Sequence, residues 1–171
     1  MSTLAGRTLA VLTVSDSVAR GIRPDTSGEI IVELVTVQQA EVAARDVLPD
    51  DQEGIAARLR AYADELRVDL VLTTGGSGVA PRDVTPEATL SVVNRLVPGL
   101  VEAARRQTLS ATPLAMLSRG VAGIRGRTLF INLPGSPKAV REWLEVLLPV
   151  VPHALTLLAD EPRPWGVPHT L

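Results

Sequence analysis

Cysteine is absent from this chain of 171 residues, so disulfides and thiolate metal centres are excluded outright. Histidine is scarce, with 2 residues, which argues against a metal site built from imidazoles. Lysine occurs once, as Lys138; the remainder of the 17 basic residues are arginine. With a formal net charge of −2, the chain has no basic field for a nucleic acid and no polybasic run for an anionic membrane. No apolar stretch reaches the roughly 18 residues that a membrane span needs. The amino-terminal stretch MSTLAGRTLAVLTVSDS lacks a long apolar signal region and a small-residue cleavage site, so the expected compartment is the cytoplasm.

What is present suits one domain with a sizeable core, since 46% of the residues are apolar and 21% charged. TLAVLTVS (8–15), EVAARDVLPD and VDLVLTT (68–74) read as strands, the last too apolar to be half exposed. A further strand is expected at 128–133. Between them lie helical patterns: one capped by Ser27, one opened by Asp50 or Asp51 with Ile55, Leu59, Tyr62 and Leu66 on one face, and one with Thr85 as N-cap and Pro86 at its first position. TPEATLSVVNRL and PGLVEAARRQTL read as helices, and Ser136 opens a long helical pattern that Pro149 and Pro152 kink or break. Alternating strands and helices predict an α/β fold with a mostly parallel sheet. The expected domain spans 1–160, followed by a Pro-rich irregular tail at 161–171 that contains Trp165. His153 reads as a packing residue and Trp143 as core or subunit interface.

The chemistry concentrates after the third strand, in TTGGSGVAPRDVTPEA. Ligands of open α/β sheets sit beyond the carboxyl ends of the strands. Glycines there permit positive φ and close backbone approach, and successive amide groups can cradle an anion. A tight turn with no ligand explains them equally well on its own. The stretch is neither a P-loop nor a dinucleotide fingerprint, because G-x-x-x-x-G-K-[ST] and G-x-G-x-x-G are both missing. Arg82 and Asp83 follow; they read either as a surface ion pair or as Asp83 placed to hold Mg²⁺, which takes one or two carboxylates plus phosphate oxygens and waters. Asp50, ending another strand, offers the second carboxylate, or else a helix cap. Ser15 in SDS, Ser118 and Arg119 in LSR, and Ser136 at a helix start in LPGSPKAV are further phosphate-binding candidates, each equally a cap or loop residue.

Taken together and in order, TVSDSVARGIRPDTSG, VLPDD, LVLTTGGSGVAPRDVTPEAT, TPLAMLSRGVAGIRG and LFINLPGSPKAV resemble the molybdenum-cofactor proteins of the MoaB/Mog type, and the fusion proteins that carry this module, including the G domain of gephyrin. The resemblance covers about residues 8 to 158. It implies a three-layer α/β/α fold, a homotrimer and binding of molybdopterin, a pterin dithiolene with a terminal phosphate. The implied reaction is adenylylation of molybdopterin by ATP with Mg²⁺, releasing pyrophosphate, with a hand-over to a molybdate-inserting protein downstream. By motif, Asp50 and Asp83 match the two functional aspartates, and they are the expected pair to orient Mg²⁺. Ser15, Thr74, Gly75, Gly76, Ser77, Gly78, Ser118, Arg119, Pro134, Gly135 and Ser136 match positions lining the pterin and nucleotide pocket. Ser77 stands where threonine is more usual, and Ser136 where Asn or Gln is common. A non-catalytic molybdopterin-binding scaffold of the same family is the alternative; a related fold acting on another nucleotide is a third reading.

Overall fold

A computed structural model describes residues 3–159; the tail at 161–171 and Trp165 lie outside the described residues. Six strands form one sheet in the order β2-β1-β3-β6-β5-β4: β1 (Thr8–Val14), β2 (Glu41–Leu48), β3 (Leu70–Thr74), β4 (Arg95–Leu96), β5 (Ala122–Arg125) and β6 (Thr128–Leu133). The pairs β1–β2, β1–β3 and β3–β6 are parallel, while β5 runs antiparallel to both β6 and β4. All four parallel strands therefore end on one edge, and the loops after them share it.

Helices cover both faces, as a parallel sheet requires. Alternate side chains of β1 separate the two cores. Leu9 and Val11 pack with Ile31 and Val35 of α2 (Thr26–Val37), Val101 and Ala104 of α5 (Pro98–Thr108), Trp143 and Leu144 of α6 (Pro137–Leu147) and Leu155 of α7 (Val151–Leu158). Ala10, Leu12 and Val14 pack with Ile55, Leu59 and Tyr62 of α3 (Gln52–Asp64) and Ala88 of α4 (Thr85–Leu90). The result is the expected three-layer α/β/α arrangement in a single domain. Trp143 is 1% exposed and belongs to the core. A short α1 (Asp16–Ala19) and a 3₁₀ helix (Pro113–Leu117) complete the described elements. Among the described residues no helix is long and apolar enough to cross a membrane.

Several local expectations differ from the structure. Asp25, not Ser27, caps α2: its Oδ1 accepts from Gly28 N at 3.0 Å, while the Ser27 hydroxyl donates to the Gly135 carbonyl at 2.8 Å. Val84, not Thr85, occupies the N-cap position of α4, and the buried Thr85 hydroxyl donates to the Gly75 carbonyl at 2.9 Å. The helix expected across 85–96 stops at Leu90, and Arg95–Leu96 forms an edge strand instead. The pattern after Ser136 divides into α6 and α7, as its prolines require.

Asn132 ties the two halves of the sheet edge to a helix. Its buried Nδ2 donates to the hydroxyls of Thr73 and Thr89, both at 2.9 Å, and its Oδ1 accepts from Val121 N at 3.2 Å. Asn132→Leu leaves those buried groups without their partner, at a cost of roughly 1–3 kcal/mol. Urea denaturation should show a lower midpoint at unchanged slope; an unchanged midpoint would contradict this role.

Candidate functional site

A cavity of about 670 Å³ opens at the carboxyl edge of the parallel strands. Val14 and Ser15 reach it from the end of β1, Asp50 from the end of β2, Thr74, Gly75, Gly76 and Asp83 from β3 and its loop, and Gly135 and Ser136 from the turn after β6. The two aspartates, 33 positions apart in sequence, thus share one chamber with the glycine turn.

The turn is built by close approach. Gly75 and Gly76 both have positive φ, 91° and 61°, a region that side chains with a Cβ rarely adopt. A Cβ on Gly75 would collide with the Val14 carbonyl oxygen; one on Gly76 would lie 2.5 Å from Thr85 Oγ1 and 3.0 Å from Asp50 Oδ1. The glycines therefore let β3 turn hard against the end of β1 and bring the loop beside Asp50. Further bonds hold the rim: Thr85 N donates to Gly76 O at 3.0 Å, and the Thr74 hydroxyl to Pro134 O at 2.7 Å.

Asp50 is fastened by Asp16. Asp16 N donates to Asp50 Oδ2 at 2.9 Å, and Asp50 N donates to Asp16 Oδ1 at 3.2 Å. Arg82 does not pair with Asp83. Its Nε and Nη2 donate to the two oxygens of Asp16, each at 2.9 Å, and this fork holds the Asp16 carboxyl below the usual carboxylate range. Asp83 closes its own loop, accepting from Ala80 N at 2.9 Å through Oδ2. In each aspartate a main-chain N–H holds Oδ2, which leaves Oδ1 for a ligand. Among the described residues no three His, Asp or Glu side chains gather as a metal site. A pair of carboxylates suits Mg²⁺, which draws its other ligands from substrate phosphates and water.

Of the other candidates, Ser15 caps α1 and lines the cavity, and Ser136 caps α6 and does the same. Ser77 is buried, with its hydroxyl on the Leu133 carbonyl at 3.3 Å. Ser77, Gly78, Ser118, Arg119 and Pro134 do not line the cavity. Arg119 clasps the glycine loop: it donates to Gly78 O at 2.6 Å and Asp83 O at 2.7 Å, and it pairs with Glu87. The lining residues that the sequence reading did not assign to the site include the polar Thr13, Arg23, Asp25, Thr26 and Ser27. Asp25 accepts from the Thr13 hydroxyl at 2.8 Å and pairs with Arg45 at 2.9 Å. Its place in D-T-S, before a helix, was the available signal.

The family model described as "Probable molybdopterin binding domain" matches residues 10–153. The chain belongs to that family. The molybdopterin adenylyltransferase of Helicobacter pylori is 41% identical over 152 residues, which cover 88% of this chain and 86% of that protein. Gephyrin of Dictyostelium discoideum is 43% identical over 165 residues, 91% of this chain but only 23% of gephyrin. The crystal structure of the molybdopterin biosynthesis enzyme MoaB from Thermus thermophilus superposes with a TM-score of 0.86 at 52% identity, covering 91% of this chain and 98% of that one.

Burial raises the Asp50 pKa above the ordinary value, with the nearby Asp16 and Asp83 carboxylates adding to the rise against the Asp16 N–H bond. A folded-state pKa above the unfolded value favours folding below the unfolded pKa, and that contribution is lost as pH rises through the folded one. At pH 7 the ionised Asp50 therefore costs stability. Asp50→Asn should raise the melting temperature at pH 7, and the gain should shrink as pH falls into the carboxylate range. Thermal melts across pH 3–7 check this; a variant less stable at pH 7 would contradict it.

Proposed function

We propose that the chain adenylylates molybdopterin. An oxygen of the molybdopterin phosphate attacks the α-phosphorus of ATP, the new P–O bond forms, and the α–β anhydride bond breaks with pyrophosphate carrying away the electron pair. The observation that carries this reading is the convergence of Asp50, Asp83 and the Gly75–Gly76 turn on one cavity of about 670 Å³. Relatives named molybdopterin adenylyltransferase, about 41% identical over most of the chain, support it.

The reaction brings two anions together, so the site must spread charge rather than supply a strong base. A phosphate is already ionised near neutral pH, and the absence of histidine from the cavity lining is no obstacle. Mg²⁺ held by Asp50 and Asp83 would neutralise charge on the phosphate oxygens. The chain's own part is positioning: the Arg82–Asp16 fork steadies Asp50, the Arg119 clasp steadies the loop that carries Asp83, and the amides of the glycine turn offer donors to a phosphate. The product then passes to a molybdate-inserting protein.

Self-association as a homotrimer belongs to the same proposal. Leu114 is 70% and Met116 65% exposed on the 3₁₀ helix, with Leu117 beside them and Leu109 at the end of α5. Apolar side chains clustered on a surface mark an interaction face. Met116→Glu should lower the sedimenting mass toward that of one chain; a wild-type protein that already sediments as a monomer would contradict the trimer.

The decisive assay combines molybdopterin, ATP and Mg²⁺ and follows adenylyl-molybdopterin and pyrophosphate. Asp83→Asn should cut turnover by roughly a hundredfold or more, the scale of a lost electrostatic group at a reacting centre, while molybdopterin binding persists. Full turnover in Asp83→Asn would remove Asp83 from the chemistry. Tight pterin binding by the wild type with no turnover would identify a binding module instead.

A further inference from the structure

The cavity's charge is unbalanced for its cargo. Its lining carries three carboxylates, Asp25, Asp50 and Asp83, and one cationic side chain, Arg23. Asp25 is matched by Arg45 from β2, and Arg82 is committed to Asp16. Asp50 and Asp83 are the pair suited to a metal. Arg23 alone remains as a fixed positive charge for a phosphate.

Its setting fits that task. The loop after α1 folds back on the helix, with Ile22 N and Arg23 N donating to the Ser17 carbonyl at 2.9 and 3.3 Å. Arg23 Nε donates to Ser17 Oγ at 3.0 Å, and Ser17 Oγ lies 3.1 Å from Ser15 Oγ. The guanidinium is thus tethered at Nε, and both terminal nitrogens remain as parallel donors. Among the described residues Arg23 makes no ion pair. A planar guanidinium with two donors on one side matches two oxygens of a phosphate.

We infer that Arg23 binds a phosphate group of a substrate at this site, as a residue that touches substrate rather than one that shapes the loop. The inference rests on the adenylyltransferase reading for its substrates. Two of them carry the chemistry: the triphosphate of ATP and the terminal phosphate of molybdopterin.

The test compares wild type, Arg23→Gln, Arg23→Lys and Arg20→Gln, measuring KM for each substrate and kcat at low and high salt. Arg20→Gln removes the same charge from the same loop, but from outside the cavity lining, and so reports the long-range field alone. Arg23→Gln should raise one KM about tenfold, as loss of a charge-assisted hydrogen bond does, with kcat changing much less. Arg23→Lys should fall between, and Arg20→Gln should stay within about twofold of wild type, a screened surface effect. A rise in KM for ATP assigns the contact to the triphosphate; a rise confined to molybdopterin assigns it to the terminal phosphate. Equal effects of Arg23→Gln and Arg20→Gln, or no effect of either, overturn the inference and leave the adenylyltransferase reading standing. A wild type without turnover overturns that reading, and calorimetric titration with ATP and with pyrophosphate then decides: weaker binding in Arg23→Gln supports the phosphate contact, and equal affinity overturns it.

Discussion

The closeness with which the chain leaves β3 past the end of β1 controls everything at the site. At Gly75 the backbone presses on the Val14 carbonyl, and at Gly76 it lies against Thr85 and Asp50. A side chain at either position would force this contact apart, against the Val14 carbonyl at Gly75 and against Thr85 and Asp50 at Gly76. The parallel pairing of β1 with both β2 and β3 makes this approach possible, because it brings three strand ends to one edge. The cavity is therefore a consequence of sheet register first and of side-chain chemistry second.

Around that contact the loops are held by polar bonds that span long sequence distances. Arg82 reaches Asp16 across 66 residues, Ser27 reaches Gly135 across 108, and Asn132 reaches Thr89 across 43. The first joins the loop after β3 to the end of β1, and the other two join α2 and α4 to the end of β6. Exposed ion pairs add little to stability, but a two-point fork such as Arg82 on Asp16 restricts orientation. Its value here lies in fixing Asp50, whose carboxylate is held from the same residue by a main-chain N–H.

This division explains which features could be read from the sequence. The parallel strands were legible because burial on both faces makes them continuous apolar runs, as in LVLTT. Asp50 and Asp83 were legible as a pair because each follows a strand end, and parallel strands end together. The antiparallel edge was not: a two-residue β4 and a four-residue β5 are too short to show alternation. Cap assignments failed where several cap-forming residues stand side by side. In Asp25-Thr26-Ser27 any of the three could cap, and the Ser27 hydroxyl is drawn off by a partner far along the chain. Thr85 fails for the same reason, since Gly75 claims its hydroxyl. Arg119 matches a pocket position by motif, and in the structure its guanidinium binds the loop itself, at Gly78 O, Asp83 O and Glu87.

The raised pKa of Asp50 joins the fold to its chemistry. A carboxylate partly buried beside Asp16 and Asp83 is held against its own electrostatic preference. The main-chain N–H of Asp16, a residue itself gripped by the Arg82 fork, holds the Asp50 carboxylate there. Such an arrangement is poor design for a resting fold and good design for a site completed by cations and phosphates. On the proposed reading, a cation held by Asp50 and Asp83 would relieve that repulsion, and Arg23 would offer its guanidinium to a phosphate. The fold thus keeps carboxylates close together at the edge where three parallel strands end, a repulsion that a cation among them would ease.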